Sequence, residues 1–246
     1  MTDFELIVPA YNEGKNLPLL LRRCAESAQA QGFTPTSFQL IIVENGSTDD
    51  SRDVLRDLKN GSLGHWFRIV SVFPNQGYGF GLMKGLATTT APLVGWSHAD
   101  MQTDPMDAFL AVKIVQEKVN TSLAAKYLVK GRRQGRNWKD VTVSRVFAFC
   151  SSLILGLKVS EINAQPKVFN RDLLHHLTNP PVTFGFDLYA LFKAQKAGYV
   201  FEEMTVQFPD RQHGFSKWSA TLSSRRRTII GLIRYMWQLR KVEGRL

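Results

Sequence analysis

Leu93-Val94-Gly95-Trp96-Ser97-His98-Ala99-Asp100-Met101-Gln102-Thr103-Asp104-Pro105 decides how the chain is read. An apolar run ends abruptly in His98, Asp100 and Gln102. Asp104-Pro105 then supplies a cap and a first-turn proline for a helix. If residues 93–97 are extended, alternate side chains share a face, so His98, Asp100 and Gln102 can converge beyond the strand end. One imidazole nitrogen, one carboxylate and one amide oxygen form a donor set for a divalent metal, with room for water or substrate phosphates. Spacing alone favours ordinary turn chemistry; the sequence around it changes the balance.

The same pattern occurs three times upstream. Phe4–Val8 reads as a buried strand ending at Pro9, followed by Tyr11-Asn12-Glu13-Gly14 and a helix carrying Leu17, Leu20, Leu21 and Cys24. Gln39–Val43 ends at Glu44-Asn45-Gly46, and Ser47 with Asp50 predicts a capping-box start for a helix to about Lys59. Arg68–Val72 ends at Pro74-Asn75-Gln76-Gly77, with a helix after the glycines Gly77, Gly79 and Gly81. Strand–helix units at roughly 25–35-residue spacing predict an α/β fold, with a mainly parallel sheet and helices on both faces. Ligands of such sheets sit beyond the carboxyl ends of the strands. Tyr11/Glu13, Glu44/Asn45, Asn75/Gly77 and His98/Asp100/Gln102 are therefore expected to line one crevice. No glycine fingerprint follows the first strand and no P-loop is present, which excludes the usual dinucleotide and P-loop nucleotide sites.

Further on, residues 123–129 predict a strand and 130–139 a basic loop. Val143, Val146, Phe147, Cys150, Leu153, Ile154 and Leu157 recur at helical spacing, either as core packing or as an interfacial helix that admits an apolar acceptor. Glu161–Lys167 reads as a polar turn, with a helix start near Asn170. Phe184-Gly185-Phe186-Asp187 opens another helix, and Phe201–Phe208 is a last strand. Leu222–Lys241 is a basic amphipathic helix with an apolar stripe of Leu222, Ile229, Leu232, Ile233, Met236 and Leu239. Tyr235 and Trp237 suit a water–lipid boundary. The stripe fits an acidic membrane surface, the body of the protein or a second subunit. Residues 1–218 and 219–246 are read as a catalytic domain and an appended helix.

The charge is concentrated. Of a net +10 over 246 residues, residues 126–145 hold +6 and residues 217–246 hold +7, leaving the remainder slightly acidic. Such segments suit anionic partners: phosphates or acidic headgroups. No aromatic-stacking or base-reading module is visible, so nucleic acid is not expected. Cys24 and Cys150 lie in apolar surroundings and read as buried thiols of a reducing compartment. Neither a leader peptide nor a run of 18 apolar residues is visible. The expectation is a cytoplasmic protein, peripheral on the inner face of the membrane.

Val8-Pro9-Ala10-Tyr11-Asn12-Glu13, Val43-Glu44-Asn45-Gly46-Ser47-Thr48-Asp49, Asn75-Gln76-Gly77-Tyr78-Gly79 and His98-Ala99-Asp100-Met101-Gln102 together resemble the family 2 glycosyltransferases. Gly185-Phe186-Asp187 and Arg211-x-x-Gly214-x-Ser216-Lys217 follow in the family's order. The subgroup most resembled is the polyprenol-phosphate sugar transferases, such as dolichol-phosphate mannosyltransferase. The resemblance implies a GT-A nucleotide-sugar-binding fold, a divalent metal (Mn2+ or Mg2+) and inversion at the sugar carbon. It implies that Pro9, Ala10, Tyr11 and Glu13 hold the nucleoside, with Glu44-Asn45 standing where paired aspartates usually meet the base. Asn75, Gly77 and Ala99 fall in the donor-binding motifs, Asp100, Gln102 and His98 in the metal motif, and Arg211 and Lys217 face the diphosphate.

Three departures stand out. His98 replaces the usual aspartate, and imidazole ligates manganese more readily than magnesium. Glu161-Ile162-Asn163-Ala164-Gln165-Pro166-Lys167 replaces an Asp-x-Thr-Ser-Gly-Phe-like run. Where the subgroup has two acceptor-side arginines this sequence has Lys126 and Asp140, which assigns the acceptor phosphate to Lys126, Ser144 and Arg145, with Lys139 beside them. The expected reaction moves a sugar from a nucleotide-diphospho-sugar to polyprenol phosphate. Alternatively, the acceptor is a hydroxyl of a lipid-linked saccharide, with Asp187 as catalytic base beside the catalytic Asp100; the other role for Asp187 is a helix-start carboxylate. A non-catalytic nucleotide- or lipid-binding relative is the rival class.

Overall fold

The computed structural model describes residues 2–121, 126–209 and 222–244. Four strands, β1 (Phe4–Ala10), β2 (Phe38–Asn45), β3 (Phe67–Val72) and β4 (Leu93–Trp96), alternate with helices α1 (Leu17–Ala30), α2 (Ser51–Asn60) and α3 (Tyr78–Leu86). The second half comprises α4 (Met106–Thr121), β5 (Tyr127–Gln134), α5 (Trp138–Leu155), β6 (Lys167–Asn170), α6 (Phe186–Lys196), β7 (Val200–Gln207) and α7 (Leu222–Glu243). The sheet order is β3-β2-β1-β4-β6-β5-β7, parallel throughout except for β6, which runs against both neighbours.

Strand periodicity divides the core. Leu6 and Val8 of β1, with Leu40 and Ile42 of β2, point to one side and pack with Leu20 of α1, Leu55 of α2 and Phe109 of α4. Ile7, Ile41, Val43 and Trp96 point to the other side, against Leu82 of α3, Phe186 and Leu191 of α6, and Met236 and Leu239 of α7. The α/β expectation holds, with helices on both faces.

Three local expectations are corrected. Residues 167–170, expected as turn and helix start, form β6, with Val168 and Phe169 fully buried; the helix turn comes after it, a short 3-10 segment at Arg171–His176. Strand β5 continues to Gln134 through the predicted basic loop, because β7 pairs with it along its whole length and places Glu203 beside Lys130. Helix α2 begins at Ser51 rather than near Ser47. Ser47 instead donates its N–H to the Glu44 carboxylate, and Asp49 takes the Ser51 N–H.

The tail stripe divides. Met236 and Leu239 are buried in the main core, Leu232 and Ile233 are half-buried, and Ile229 is exposed. Among the described residues no helix is long and apolar enough to cross a membrane.

Candidate active site

The carboxyl ends of β1, β2 and β3 are tied together by short polar side chains. Asn12 accepts the Thr48 N–H at 2.8 Å and donates to the Thr48 hydroxyl at 3.1 Å, joining the loops after β1 and β2. Asn45 donates to the Gly77 carbonyl at 2.9 Å, and Asn75 donates to the Asn45 carbonyl at 2.8 Å. Gly77 has φ +101, and a Cβ there would stand 2.4 Å from the Val182 carbonyl oxygen. Only glycine fits this approach. Glu44 is buried, accepting from the Ser47 N–H at 2.5 Å and from Arg52 at 3.0 Å. Glu13 accepts from Asn16 at 2.6 Å, and Pro9, Ala10 and Tyr11 lie at the end of β1 beside it. The expected nucleoside-side residues thus share one edge of the sheet.

The metal motif leaves β4 at the same edge. Met101 takes φ 59, a turn that lets Asp100 Oδ1 accept the Gln102 N–H at 3.2 Å. Ala99 and Asp100 are buried, and the Gln102 amide nitrogen donates to the Pro209 carbonyl at 3.1 Å. His98 Nε2 lies 3.4 Å from the Tyr78 hydroxyl. Burial pushes the His98 pKa below its ordinary value, against the opposing pull of Asp100 and Asp187, so its ring is neutral at pH 7 and able to ligate. Among the described residues no three His, Cys, Asp or Glu side chains converge as a complete protein metal site. An imidazole, a carboxylate and an amide oxygen are a donor set that suits an ion completing its shell with phosphate oxygens and water.

Behind this motif lies a buried group that the sequence reading did not assemble. Asp187 Oδ1 accepts from Trp96 Nε1 at 3.0 Å, Gln165 Nε2 at 3.0 Å and Lys167 Nζ at 2.6 Å. Lys167, fully buried, also donates to the Ala164 carbonyl at 3.0 Å. Burial would raise the Asp187 pKa, but Lys167, His98 and Trp96 outweigh it and hold the carboxyl below its ordinary value. Burial pushes the Lys167 ammonium down to about 8 although Asp187 pulls the other way. Asp187 is therefore an ion-paired carboxylate with a lowered basicity. Tyr78, 3.4 Å from the Gln165 amide and stacked on Phe184, closes the group on the side of α3.

A second charged group sits where β5 leaves the sheet. Glu161 accepts from the Arg133 N–H at 2.9 Å, from Arg133 Nε at 2.7 Å and from Arg136 Nη1 at 2.5 Å. Arg136 also donates to the Ser144 hydroxyl at 3.0 Å, and both guanidinium groups lie over the Phe208 ring. Lys130, fully buried, pairs with Glu203 at 3.0 Å.

Of the acceptor-side expectations, Ser144 is in this cluster and Arg145 is exposed on α5. Lys126 is not brought here. It precedes β5 at the opposite edge of the sheet, with Nζ over the Tyr199 ring, because Lys130, four residues later, is the one paired across from Lys167. Arg211 and Lys217 lie outside the described residues. The residues missed, Lys167, Gln165, Arg133 and Arg136, stood in the sequence as an unusual Gln-Pro-Lys run and a block of basic charge.

The family model for glycosyl transferase family 2 matches residues 5–178. Among solved structures, glucosyl-3-phosphoglycerate synthase from Mycobacterium tuberculosis in complex with phosphoglyceric acid superposes with a TM-score of 0.68 at 19% identity, covering 96% of this chain and 80% of that one. The same enzyme with Mn2+, uridine diphosphate and glucosyl-3-phosphoglycerate gives 0.66 at 20% identity, covering 96% and 80%. Mannosyl-3-phosphoglycerate synthase from Rubrobacter xylanophilus gives 0.67 at 16% identity, covering 100% and 76%. At these identities the likeness speaks for the fold, whereas the family match spans all four strand ends and the metal motif. The chain belongs to glycosyl transferase family 2 and is a nucleotide-sugar-dependent glycosyltransferase of the GT-A type.

Proposed function

We propose that this enzyme transfers a sugar from a nucleotide-diphospho-sugar to a polyprenol phosphate at a membrane surface. The observation that carries the acceptor is the cluster at the end of β5, where one carboxylate, Glu161, serves two arginines beside Ser144. That surplus of positive charge with a hydroxyl suits a phosphate. The state of Asp187 supports the same reading. A sugar hydroxyl must lose a proton on attack and requires a base, but Asp187 is committed to Lys167. A phosphate acceptor is already ionised: its oxygen forms the new bond to the anomeric carbon while the bond to the nucleoside diphosphate breaks, with inversion. The structural neighbours carry phosphoglycerate in their names, a phosphorylated compound but not a polyprenol phosphate.

His98, Asp100 and Gln102 would hold the divalent ion, Mn2+ or Mg2+, which on binding supplies charge to the departing diphosphate. Pro9, Ala10, Tyr11, Glu13, Glu44 and Asn45 would seat the nucleoside, with Arg211 and Lys217 at the diphosphate. Asp100→Ala should abolish metal-dependent nucleotide binding by calorimetry; binding that persists unchanged refutes the metal assignment. A panel of UDP-, GDP- and dTDP-sugars is offered with short-chain polyprenyl phosphate, the matching alcohol or phosphoglycerate. Product is expected with the polyprenyl phosphate alone, and transfer confined to phosphoglycerate or to the alcohol overturns the acceptor reading.

A further inference from the structure

Helices α5 and α7 pack side by side and run the same way. Ser151 Oγ meets Met236 Sδ at 3.8 Å, and Arg240 donates to the Ile154 carbonyl at 3.0 Å, contacts separated by 85 and 86 residues. Their inner sides are filled by Ala148, Ser151 and Leu155 from one helix and by Met236 and Leu239 from the other. Their outer sides are unlike those of an ordinary solvated pair. On α5, Trp138 is 71% exposed, Phe149 67% and Leu153 61%. On α7, Ile230 and Trp237 are exposed two turns apart, and Arg234 and Lys241 continue their stripe at helical spacing. Arg145 stands exposed on α5 one turn before Phe149.

We infer that the outer faces of α5 and α7 together form a seat for an anionic lipid bilayer. Charge decides between occupants. Among the described side chains of the two helices, Lys139, Arg145, Arg234 and Lys241 are exposed cations, against the acids Asp140 and Glu243, and Glu243 is already engaged by Lys193 and Lys196. A second copy related by a two-fold axis would bring this cationic surface against itself. Acidic headgroups instead complement the cations while the exposed aromatic and aliphatic side chains enter the acyl boundary. Trp138 and Trp237 suit that boundary. The seat also lies next to the acceptor cluster, because Ser144 is on α5 and Arg136 immediately precedes it. The inference deepens the lipid-acceptor reading and rests on it for its purpose, but its test needs neither donor nor acceptor.

The full-length protein is sedimented with phosphatidylglycerol-containing vesicles and with pure phosphatidylcholine vesicles, all free of polyprenyl phosphate. Binding to the first alone, weakening with salt, is expected. Arg234→Gln with Lys241→Gln should weaken it about thirtyfold, at roughly fivefold per charge. Phe149→Ser with Leu153→Ser should also release the protein while leaving its far-ultraviolet dichroism and its turnover of a water-soluble short-chain acceptor unchanged. Absence of vesicle binding, or binding that these variants leave intact, overturns the inference. So does a sedimentation-equilibrium dimer that the Phe149/Leu153 variant dissociates. Vesicle binding without any transfer to polyprenyl phosphate would instead sink the acceptor reading and leave the seat standing.

Discussion

A carboxylate buried as deeply as Asp187 stays ionised only beside a compensating charge, and Lys167 supplies it at 2.6 Å. Removing one partner strands the other. Lys167→Met is expected to cost about 3–5 kcal/mol, and Lys167→Met with Asp187→Leu should recover much of that; urea unfolding of both variants measures it. If the single variant is as stable as the parent, the pair does not hold the floor of the site. The Lys167 pKa near 8 also predicts an alkaline fall in turnover, as Asp187 loses its counter-ion. Its sign separates activity from stability. The folded value lies below the ordinary 10.5, so between about 8 and 10.5 the unfolded chain binds more protons than the folded one. Over that window this group makes folding more favourable as pH rises. Turnover should therefore decline while the protein remains folded, and Lys167→Arg should move the decline to higher pH. A fall at the same pH in the arginine variant assigns it elsewhere.

At the scale of elements, the first four strands were legible because β1 to β3 are closed by proline, glycine or asparagine and β4 by His98 and Asp100, and these polar strand ends declared the site edge. Strand β6 was not. It is four residues long, begins with a lysine and lies antiparallel in an otherwise parallel sheet. Strand β5 was cut short for a related reason: Lys130-Gly131-Arg132-Arg133 reads as solvated loop until Glu161 and Glu203 are known to lie beside it. These partners are 28 and 73 residues away, so no local pattern announces them. The same non-locality hid the Lys167–Asp187 pair, whereas the Lys126 assignment rested on the family resemblance and named a lysine that lies at the other end of β5. Gly131 tests how far the site depends on this strand pairing. A Cβ at residue 131 would stand 2.1 Å from the Gln165 carbonyl oxygen, and the Gly131 N–H donates to the Pro166 carbonyl. Gly131→Ala should cost about 1–3 kcal/mol by overpacking and should also depress turnover, since it pushes Gln165 and Lys167 out of place. Thermal unfolding and initial rates check the two effects separately, and a variant with parental values in both would show that β6 gives way freely.

For the whole molecule, α7 decides whether the catalytic body can stand without its tail. Sequence periodicity identified the helix but left its apolar stripe to a membrane, the body or a second subunit. The structure uses Met236 and Leu239 in the main core and ties Glu243 to Lys193 and Lys196 of α6. Two such buried side chains contribute roughly 3–6 kcal/mol, a large share of the ~5–15 kcal/mol that holds a typical domain folded. A chain ending at residue 218 is therefore expected to unfold at markedly lower temperature and to bind nucleotide poorly near physiological temperature, as scanning calorimetry with and without whichever nucleotide the parent binds would show. An unchanged melting temperature would mean that α7 is an appendage after all. Membrane docking must therefore be tested on a chain that keeps α7. A truncated protein that fails to bind vesicles could have failed because it no longer folds. Point changes on the exposed stripe, at Phe149, Leu153, Arg234 and Lys241, alter the surface and leave Met236 and Leu239 in the core, so their effect on binding reports the bilayer contact itself.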